Sequence, residues 1–339
     1  MKLNNKKNGK SLSLYIKEYS SETGLKTRSL KFKDKRETHD WFYNWFIGVT
    51  DGDGCFSIYT NKNKNKINFT FKISQKSNNL QMLHYIKTNL KHGQIKTDNR
   101  GMSHFLIRDS KTIETILIPI FEKYHLKTKK KNSYNIFKSS YAIWKQKSLI
   151  QSAKIESIRK NIEKMKKNIS PKACYGNISP EAVILCTKEQ QNADNDKSLR
   201  CLKSLSVNLC SPDYNSVEHR IILTKPWIVG FIEAEGSFYL TSKDDNRIVH
   251  GFGITQKDDK EVLIELAKNI QIKSKVKRNK KGFWSLDVTG SKDIKLIKDY
   301  FFKTMKGRTS LKYRIWARTF KYKGHKEKLE KIKKILKNI

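Results

Sequence analysis

Two acidic residues share the same surroundings. Asp53 and Glu235 each follow a small residue, Gly52 or Ala234, and each precedes a glycine and an apolar run, CFSI or SFYL. The strings that contain them, FIGVTDGDG and IVGFIEAEG, place these acids 182 residues apart. In each string two small residues stand four apart, Gly48 with Gly52 and Gly230 with Ala234. On a helix that spacing puts them on one face. A face of small residues lets two backbones approach closely, as between membrane helices. Two such helices packed side by side bring Asp53 and Glu235 together at their C-terminal ends. There the carboxylates repel each other and oppose the helix dipoles. A divalent cation relieves the repulsion. Hard oxygen ligands suit Mg²⁺, or another divalent ion such as Mn²⁺, which keeps several waters and takes phosphate oxygens from a substrate. The carbonyls of Gly52 and Ala234, unpaired at a helix end, are further candidate ligands. Asp51 and Glu233 lie two residues earlier, about 200° around the helix, and are read as structural acids. The DGDG string also resembles part of a calcium loop. It lacks the later acids of that loop, and the second copy does not keep the spacing.

The repeat runs on past these strings. Gln75 in ISQK and Gln256 in ITQK are 181 apart, as are Ser110 and Ser291, while Tyr134 and Tyr313 are 179 apart. A register kept this far is an internal repeat, and it implies two similar halves facing each other. Periodicity in the first half predicts a helix over 40–53, strands at 55–60 and 67–74, and a helix over 79–90. Strands at 94–98 and 104–108 and a helix over 110–124 follow, with Ser110 as its N-cap. The second half repeats this order, with Ser291 at the cap. Strand alternation points Phe56, Ile58, Phe71, Ile95, Phe105 and Ile107 inward. It points Ser57, Tyr59, Asn61, Lys72, Ser74, Gln94, Lys96, His104 and Arg108 outward. The matching outward set in the second half is Tyr239, Thr241, Lys243, Lys275, Lys277, Asn279, Ser285 and Asp287. The chain divides into a basic tail (1–37), a first repeat (38–144), a helical then irregular linker (145–220), a second repeat (221–323) and a basic C-terminal helix (324–339). Within the linker, 149–169 has the spacing of an amphipathic basic helix, and 172–216 loses periodicity.

Composition bounds the partner. The chain of 339 residues carries a net charge of +39, and 59 of its 71 basic residues are lysine. Such an excess repels itself unless a polyanion neutralises it, and nucleic acid is the default. The bias towards Lys, Asn and Ile is equally what an AT-rich genome produces. Five cysteines (Cys55, Cys174, Cys186, Cys201 and Cys210) show no CxxC pair, which argues against a zinc site or disulfide framework. No apolar run reaches the ~18 residues of a membrane span.

The two strings, in their helix-strand-strand-helix-strand-strand-helix context, resemble the LAGLIDADG family of homing endonucleases and intron maturases. The likeness covers about 38–144 and 221–323. Several motif letters differ: Thr50 replaces an apolar residue, and Glu233 and Glu235 replace aspartates. The resemblance implies an α+β fold of two pseudo-symmetric αββαββα repeats, packed through the motif helices, each with a curved antiparallel sheet that binds DNA. It implies that Asp53 and Glu235 bind the metals that cut DNA, with Gln75 and Gln256 near the scissile phosphates. Gln75 shares parity with Phe69, Phe71 and Ile73, so a buried role at a strand end is the alternative. The resemblance also implies a basic residue near the phosphates, which matches Lys129 and Arg308, with Lys127, Lys130, Lys131 and Lys306 close by. The implied activity is site-specific, metal-assisted hydrolysis of both strands of double-stranded DNA by a monomer. The alternative is a maturase that assists splicing of its own group I intron RNA. A third reading is a catalytically silent basic architectural protein, which leaves the paired acids unexplained. The family and the Lys/Asn/Ile bias together imply mitochondrial residence and no membrane partner.

Overall fold

A helix apolar on every side belongs inside a protein. The middle stretch of each motif helix is of this kind: Trp45, Phe46, Ile47 and Val49, and likewise Trp227 to Ile232, have essentially no exposed surface. The structure, a computed structural model, describes residues 35–61, 66–168, 221–244 and 247–339. The basic tail over 1–34, the loop over 172–216 and the cysteines other than Cys55 lie outside the described residues. Residues 40–339 form one compact unit.

In the first half, α1 (Lys35–Asp53) leads into β1 (Gly54–Asn61) and β2 (Lys66–Lys76). After a 3-10 turn come α2 (Leu80–Leu90), β3 (Gln94–Thr97) and β4 (Met102–Ile107). Next is α3, built of Ser110–Thr112, a π-helical turn Ile113–Leu117, and Ile118–Tyr124. Two further helices follow, α4 (Lys130–Lys145) and α5 (Gln151–Asn168). The second half has α6 (Lys225–Glu235), β5 (Ser237–Asp244), β6 (Arg247–Gln256), α7 (Lys260–Ile270), β7 (Lys277–Arg278) and β8 (Trp284–Val288). It ends with α8 (Ser291–Tyr300), α9 (Thr309–Arg318) and α10 (Lys326–Asn338). The sheets are ordered β1-β2-β4-β3 and β5-β6-β8-β7, all antiparallel. This is the α+β, two-repeat architecture that the sequence implied.

Each sheet buries one face on its helices. Phe56, Phe71, Phe121 and Phe137 form the aromatic centre of the first half, with ring centroids 5.2–5.7 Å apart. Phe238, Phe252, Phe301 and Trp316 occupy the matching places in the second. The two halves meet at the motif helices. A Cβ on Gly48 would collide with the Trp227 carbonyl oxygen and lie 2.9 Å from Phe231 N. A Cβ on Gly230 would collide in turn with the Trp45 carbonyl and lie 3.0 Å from Val49 N. The contact is reciprocal, backbone on backbone.

Several elements differ from the sequence expectation. Asp109, not Ser110, caps α3, accepting 2.8 Å bonds from Thr112 N and Oγ1, while Ser110 Oγ bonds Tyr141 OH. Gly290 holds the cap position of α8, and Ser291 is its first helical residue. The π turn in α3 immediately precedes Pro119, which has no N–H to donate to the turn before it. Helices α4 and α9 were not predicted. They cover the aromatic face of each sheet through Tyr134 and Phe137, and through Tyr313 and Trp316. Strand β7 has only two residues, so Lys275 lies outside it. The basic helices α5 and α10 are docked rather than loose: Ile155, Ile158 and Met165, and Leu329, Ile332 and Leu336, are buried. No described helix is long and apolar enough to cross a membrane.

Two substitutions test this seam. Gly230→Val forces the helices apart and should cost about 3 kcal/mol or more, read by denaturant unfolding; Gly290→Ala, with nothing within 4 Å, should be close to neutral. Thr50 is fully buried and its Oγ1 has no partner among the described residues. Thr50→Val removes that orphan at constant shape and should raise stability by about 1 kcal/mol.

Candidate active site

The last turns of α1 and α6 carry four acids that divide into two pairs. Asp51 and Glu233 are buried and fully engaged. Asp51 accepts from Lys127 N (2.9 Å), Thr128 N (3.1 Å), Thr128 Oγ1 (2.6 Å) and the Trp227 indole N–H (2.8 Å). Glu233 accepts from Lys306 N and Gly307 N, both at 2.5 Å, and from the Trp45 indole N–H at 3.2 Å. Each acid therefore pins the loop behind its own sheet and takes one donor from the opposite half. Burial pushes Glu233 up to about 7, against the pull of the three hydrogen bonds. Burial also raises Asp51.

Asp53 and Glu235 lie two residues on and turn to the common centre. A Cβ on Gly52 would touch Ala234 and stand 3.2 Å from Glu235 Cγ and 3.6 Å from Glu235 Oε1, which fixes how close the two acids come. Burial and then the negative charge of Glu235 raise Asp53 to about 7. Glu235 is also raised, by burial and by Asp259. Gln75 Nε2 donates to Asp53 Oδ2 at 2.5 Å, and Gln256 makes the matching bond to Glu235. Gln75 is itself held, its Oε1 accepting from Asn79 Nδ2 at 2.9 Å. Asn79 Oδ1 in turn accepts from Arg308 N at 2.7 Å. Thus Asp53, Glu235, Gln75, Gln256, Gly52 and Ala234 come together from sequence positions 52 to 256.

The basic residues sort differently. Lys129 is largely exposed and directs its ammonium to Asp258 at 3.8 Å, while its backbone N–H bonds Asp259. The inner place belongs to Lys130, whose Nζ bonds the Gly52 carbonyl at 2.7 Å and whose charge lowers both Asp53 and Glu235. The family resemblance matched Lys129 and Arg308 to this place and left Lys130 among the lysines close by. The site thus already holds one cation against an unpaired helix-end carbonyl between two carboxylates. Such a donor set of hard oxygens fits a divalent metal.

The outward faces of the sheets flank this centre. Register places Ser57, Lys72, Ser74, Gln94, Lys96 and His104 on one face of the first sheet. His104 bridges Ser74 Oγ at 2.9 Å and Asp98 Oδ2 at 3.3 Å. The side chain of Asn61 lies outside the described residues. In the second sheet Tyr239, Thr241, Lys277, Ser285 and Asp287 share the outward face. The Tyr239 ring covers Gly251 and Gly253, and its hydroxyl donates to Asp287. Four of the expected outward residues lie at the margins of the sheets. Asn279 Oδ1 holds the β7–β8 turn through Lys281 N and Phe283 N, both at 3.0 Å. Tyr59, Arg108 and Lys243 line cavities at the sheet ends away from the acids.

Comparison with known proteins adds the following. A family model described as LAGLIDADG endonuclease matches residues 46–141 and 228–320. The chain is 31% identical to a probable intron-encoded endonuclease, Cox1-I1b of Schizosaccharomyces pombe, over 88% of this chain and 69% of that one. It is 22% identical to the probable intron-encoded endonuclease aI3 of Dictyostelium citrinum, over 76% of this chain. Among solved structures, the homing endonuclease I-GzeII with its DNA target superposes with a TM-score of 0.64 at 24% identity, over 86% of this chain and 96% of that one. I-SmaMI bound to uncleaved DNA in the presence of calcium ions superposes with a TM-score of 0.63 at 20% identity, over 86% and 97%.

The site's electrostatics set a sign. An unfolded Asp53 has lost its proton by about pH 4, whereas the folded, metal-free protein keeps it up to about pH 7. Between those values folding takes up a proton, so stability falls as pH rises. In EDTA the melting temperature of Asp53→Asn should fall less than wild type from pH 4.5 to 7.5 and exceed it at pH 7.5. Trp227→Phe removes one of four donors to a buried carboxylate and should cost about 1–3 kcal/mol, measured by denaturant unfolding.

Proposed function

The chain belongs to the LAGLIDADG endonuclease family, and we propose that it cuts double-stranded DNA at a specific site, using Asp53 and Glu235 as the two acids of cleavage. The observation that carries this is the meeting of these carboxylates at the helix seam, between two sheets whose outward faces mix Lys, His, Ser and Tyr. That mixture suits phosphate contacts that position and base-edge contacts that specify.

The residues divide the work. Asp53, Glu235 and the Gly52 and Ala234 carbonyls would hold magnesium or a related divalent ion. Bound there, such an ion supplies an activated water and steadies the leaving oxygen at phosphorus. Gln75, locked by Asn79, orients the Asp53 carboxylate and keeps one oxygen directed into the site. Gln256 does the same for Glu235. Lys130 balances the two negative charges before substrate arrives and stands ready to meet a phosphate. Lys129 and Arg308 stand on the rim, where cations draw in the DNA backbone. Both acids come from one polypeptide, which supports action as a monomer. The intron-encoded relatives and the Lys/Asn/Ile bias support a mitochondrial setting.

The test is a plasmid carrying the intron-less junction of the host gene, incubated with the protein and Mg²⁺. Wild type should linearise it, and EDTA should stop the reaction. Asp53→Asn should slow cleavage by roughly a thousandfold or more, the several kcal/mol expected of a lost metal ligand. An uncut junction across Mg²⁺ and Mn²⁺, or full activity in the Asn variant, would overturn the reading.

A further inference from the structure

At the outer end of the second sheet, β8 stops pairing with β6 at Phe252–Val288, while β5 continues along β6 to Arg247. The stretch 247–251 therefore has a strand on one side only. On its open side, between the start of α8 and the segment that leads into α10, lies a cavity of about 640 Å³. That is the size of a small-ligand site. Its inner wall includes Phe320, Ile294 and Leu329. Around it stand six cations, Lys243, Arg247, Lys295, Lys298, Lys323 and Lys326, of which Arg247 pairs with Asp244 at 3.3 Å, and among the described residues no carboxylate lines it. Gly290, at the start of α8, offers no side-chain cap, so the first N–H groups of that helix add to the positive wall.

The first half provides a control within the same molecule. A cavity of about 570 Å³ occupies the corresponding place, lined by β2 residues, Arg108, Tyr141 and Trp144. The offsets that align the repeats set Phe69 against His250, Tyr141 against Phe320 and Trp144 against Lys323. In the first half these positions are aromatic and pack on one another, Phe69 lying 5.2 Å from Tyr141 and 5.8 Å from Trp144. Among the described residues Arg108 is the one cation in that lining. The fold thus makes the notch without charge, and the cations of the second notch are not needed for packing. Their charge is felt at the cavity wall. Burial, with Lys323 and Lys298 behind it, drives His250 down to about 4. Like charges gathered around a cavity destabilise it unless an anion enters.

We propose that this cavity binds an unpaired nucleotide, with its phosphate among Lys295, Lys298 and Lys323 and its base against Phe320. The ring of Phe320 lines the cavity beside His250, 3.9 Å away, with the Lys298 ammonium 5.0 Å from its centroid. Base stacking on an aromatic beside lysines is how single strands are held without regard to sequence. The nucleotide is either free in solution or part of a single strand; the chemistry recognised is the same. The site lies at the outer end of the sheet, and its lining includes neither Asp53 nor Glu235. Lys243, Arg247 and Val249 share the outward parity of Tyr239 and Thr241, so the unlabelled duplex in the test below decides whether the two surfaces are separate.

Fluorescence polarisation of the full chain tests this, in EDTA and with excess unlabelled duplex DNA to fill the sheet faces. The probes are a short fluorescein-labelled RNA strand of mixed sequence and a fluorescent ATP analogue. Lys295→Ala with Lys323→Ala should weaken binding about tenfold or more. Lys160→Ala with Lys164→Ala, the same loss of charge on α5, should change it less than about twofold. Binding of both probes assigns the site to free nucleotides, and binding of the strand alone assigns it to single-stranded nucleic acid. Equal weakening by the two variant pairs, displacement of the strand by the duplex, or no binding of either probe would overturn the proposal. Circular dichroism melts of the exposed-lysine variants check that each is folded. DNA cleavage is unaffected by any of these outcomes, so the two readings stand or fall apart.

Discussion

Everything in this molecule depends on how closely two helices can lie. Gly48 sits on the Trp227 carbonyl and Gly230 on the Trp45 carbonyl, with no room for a side chain at either. Only at that separation do Asp53 and Glu235 meet, because each projects from the last turn of a helix whose middle is fully buried. The contact is apolar along the middle of both helices. A hydrogen bond from Thr224 Oγ1 to Asn44 Oδ1 closes one end, and the four carboxylates stand at the other. Placing like charges there opposes folding, and the surrounding core must supply the stability to hold them.

The halves also hold each other by exchange. The Trp227 indole bonds Asp51 and the Trp45 indole bonds Glu233. Lys129 N bonds Asp259 at the cap of α7, and Arg308 N bonds Asn79 at the cap of α2. Each half thus sets the position of a basic loop belonging to the other. A rigid-body slip of one repeat would break all four contacts together, which couples the geometry of the acids to that of the cations around them.

The pseudo-symmetry is broken where chemistry is concerned. Lys130 enters the centre from the first half, while Thr309 in the matching place bonds the Glu233 carbonyl instead. Asn79 hands its amide to Gln75, whereas Asp259 adds a third negative charge near Glu235. Asp53 and Glu235 therefore work in unequal fields. The two outer notches have diverged in the same manner, one aromatic and one cationic.

How much of this was open to reading from the chain can be judged residue by residue. The repeat, the inward and outward parity of the strands, and the paired acids followed from the chain alone, while the glutamines entered through the family resemblance. These features are periodic, and a period survives without knowledge of distant contacts. The small-residue pairs Gly48–Gly52 and Gly230–Ala234 announced the seam for the same reason. Helices α4 and α9 escaped because their apolar residues are spaced among lysines and serines, and they are helical by virtue of the sheet they cover. The cap of α3 was misplaced by one residue, since Asp109 and Ser110 both suit the position and only the fold engages Ser110 with Tyr141. The choice of Lys130 over Lys129 lay beyond the sequence altogether. Adjacent lysines differ only in direction, and direction is settled by which backbone N–H is captured across the seam, here that of Lys129 by Asp259. Local pattern determined what each segment is, and tertiary contact decided which way its side chains face.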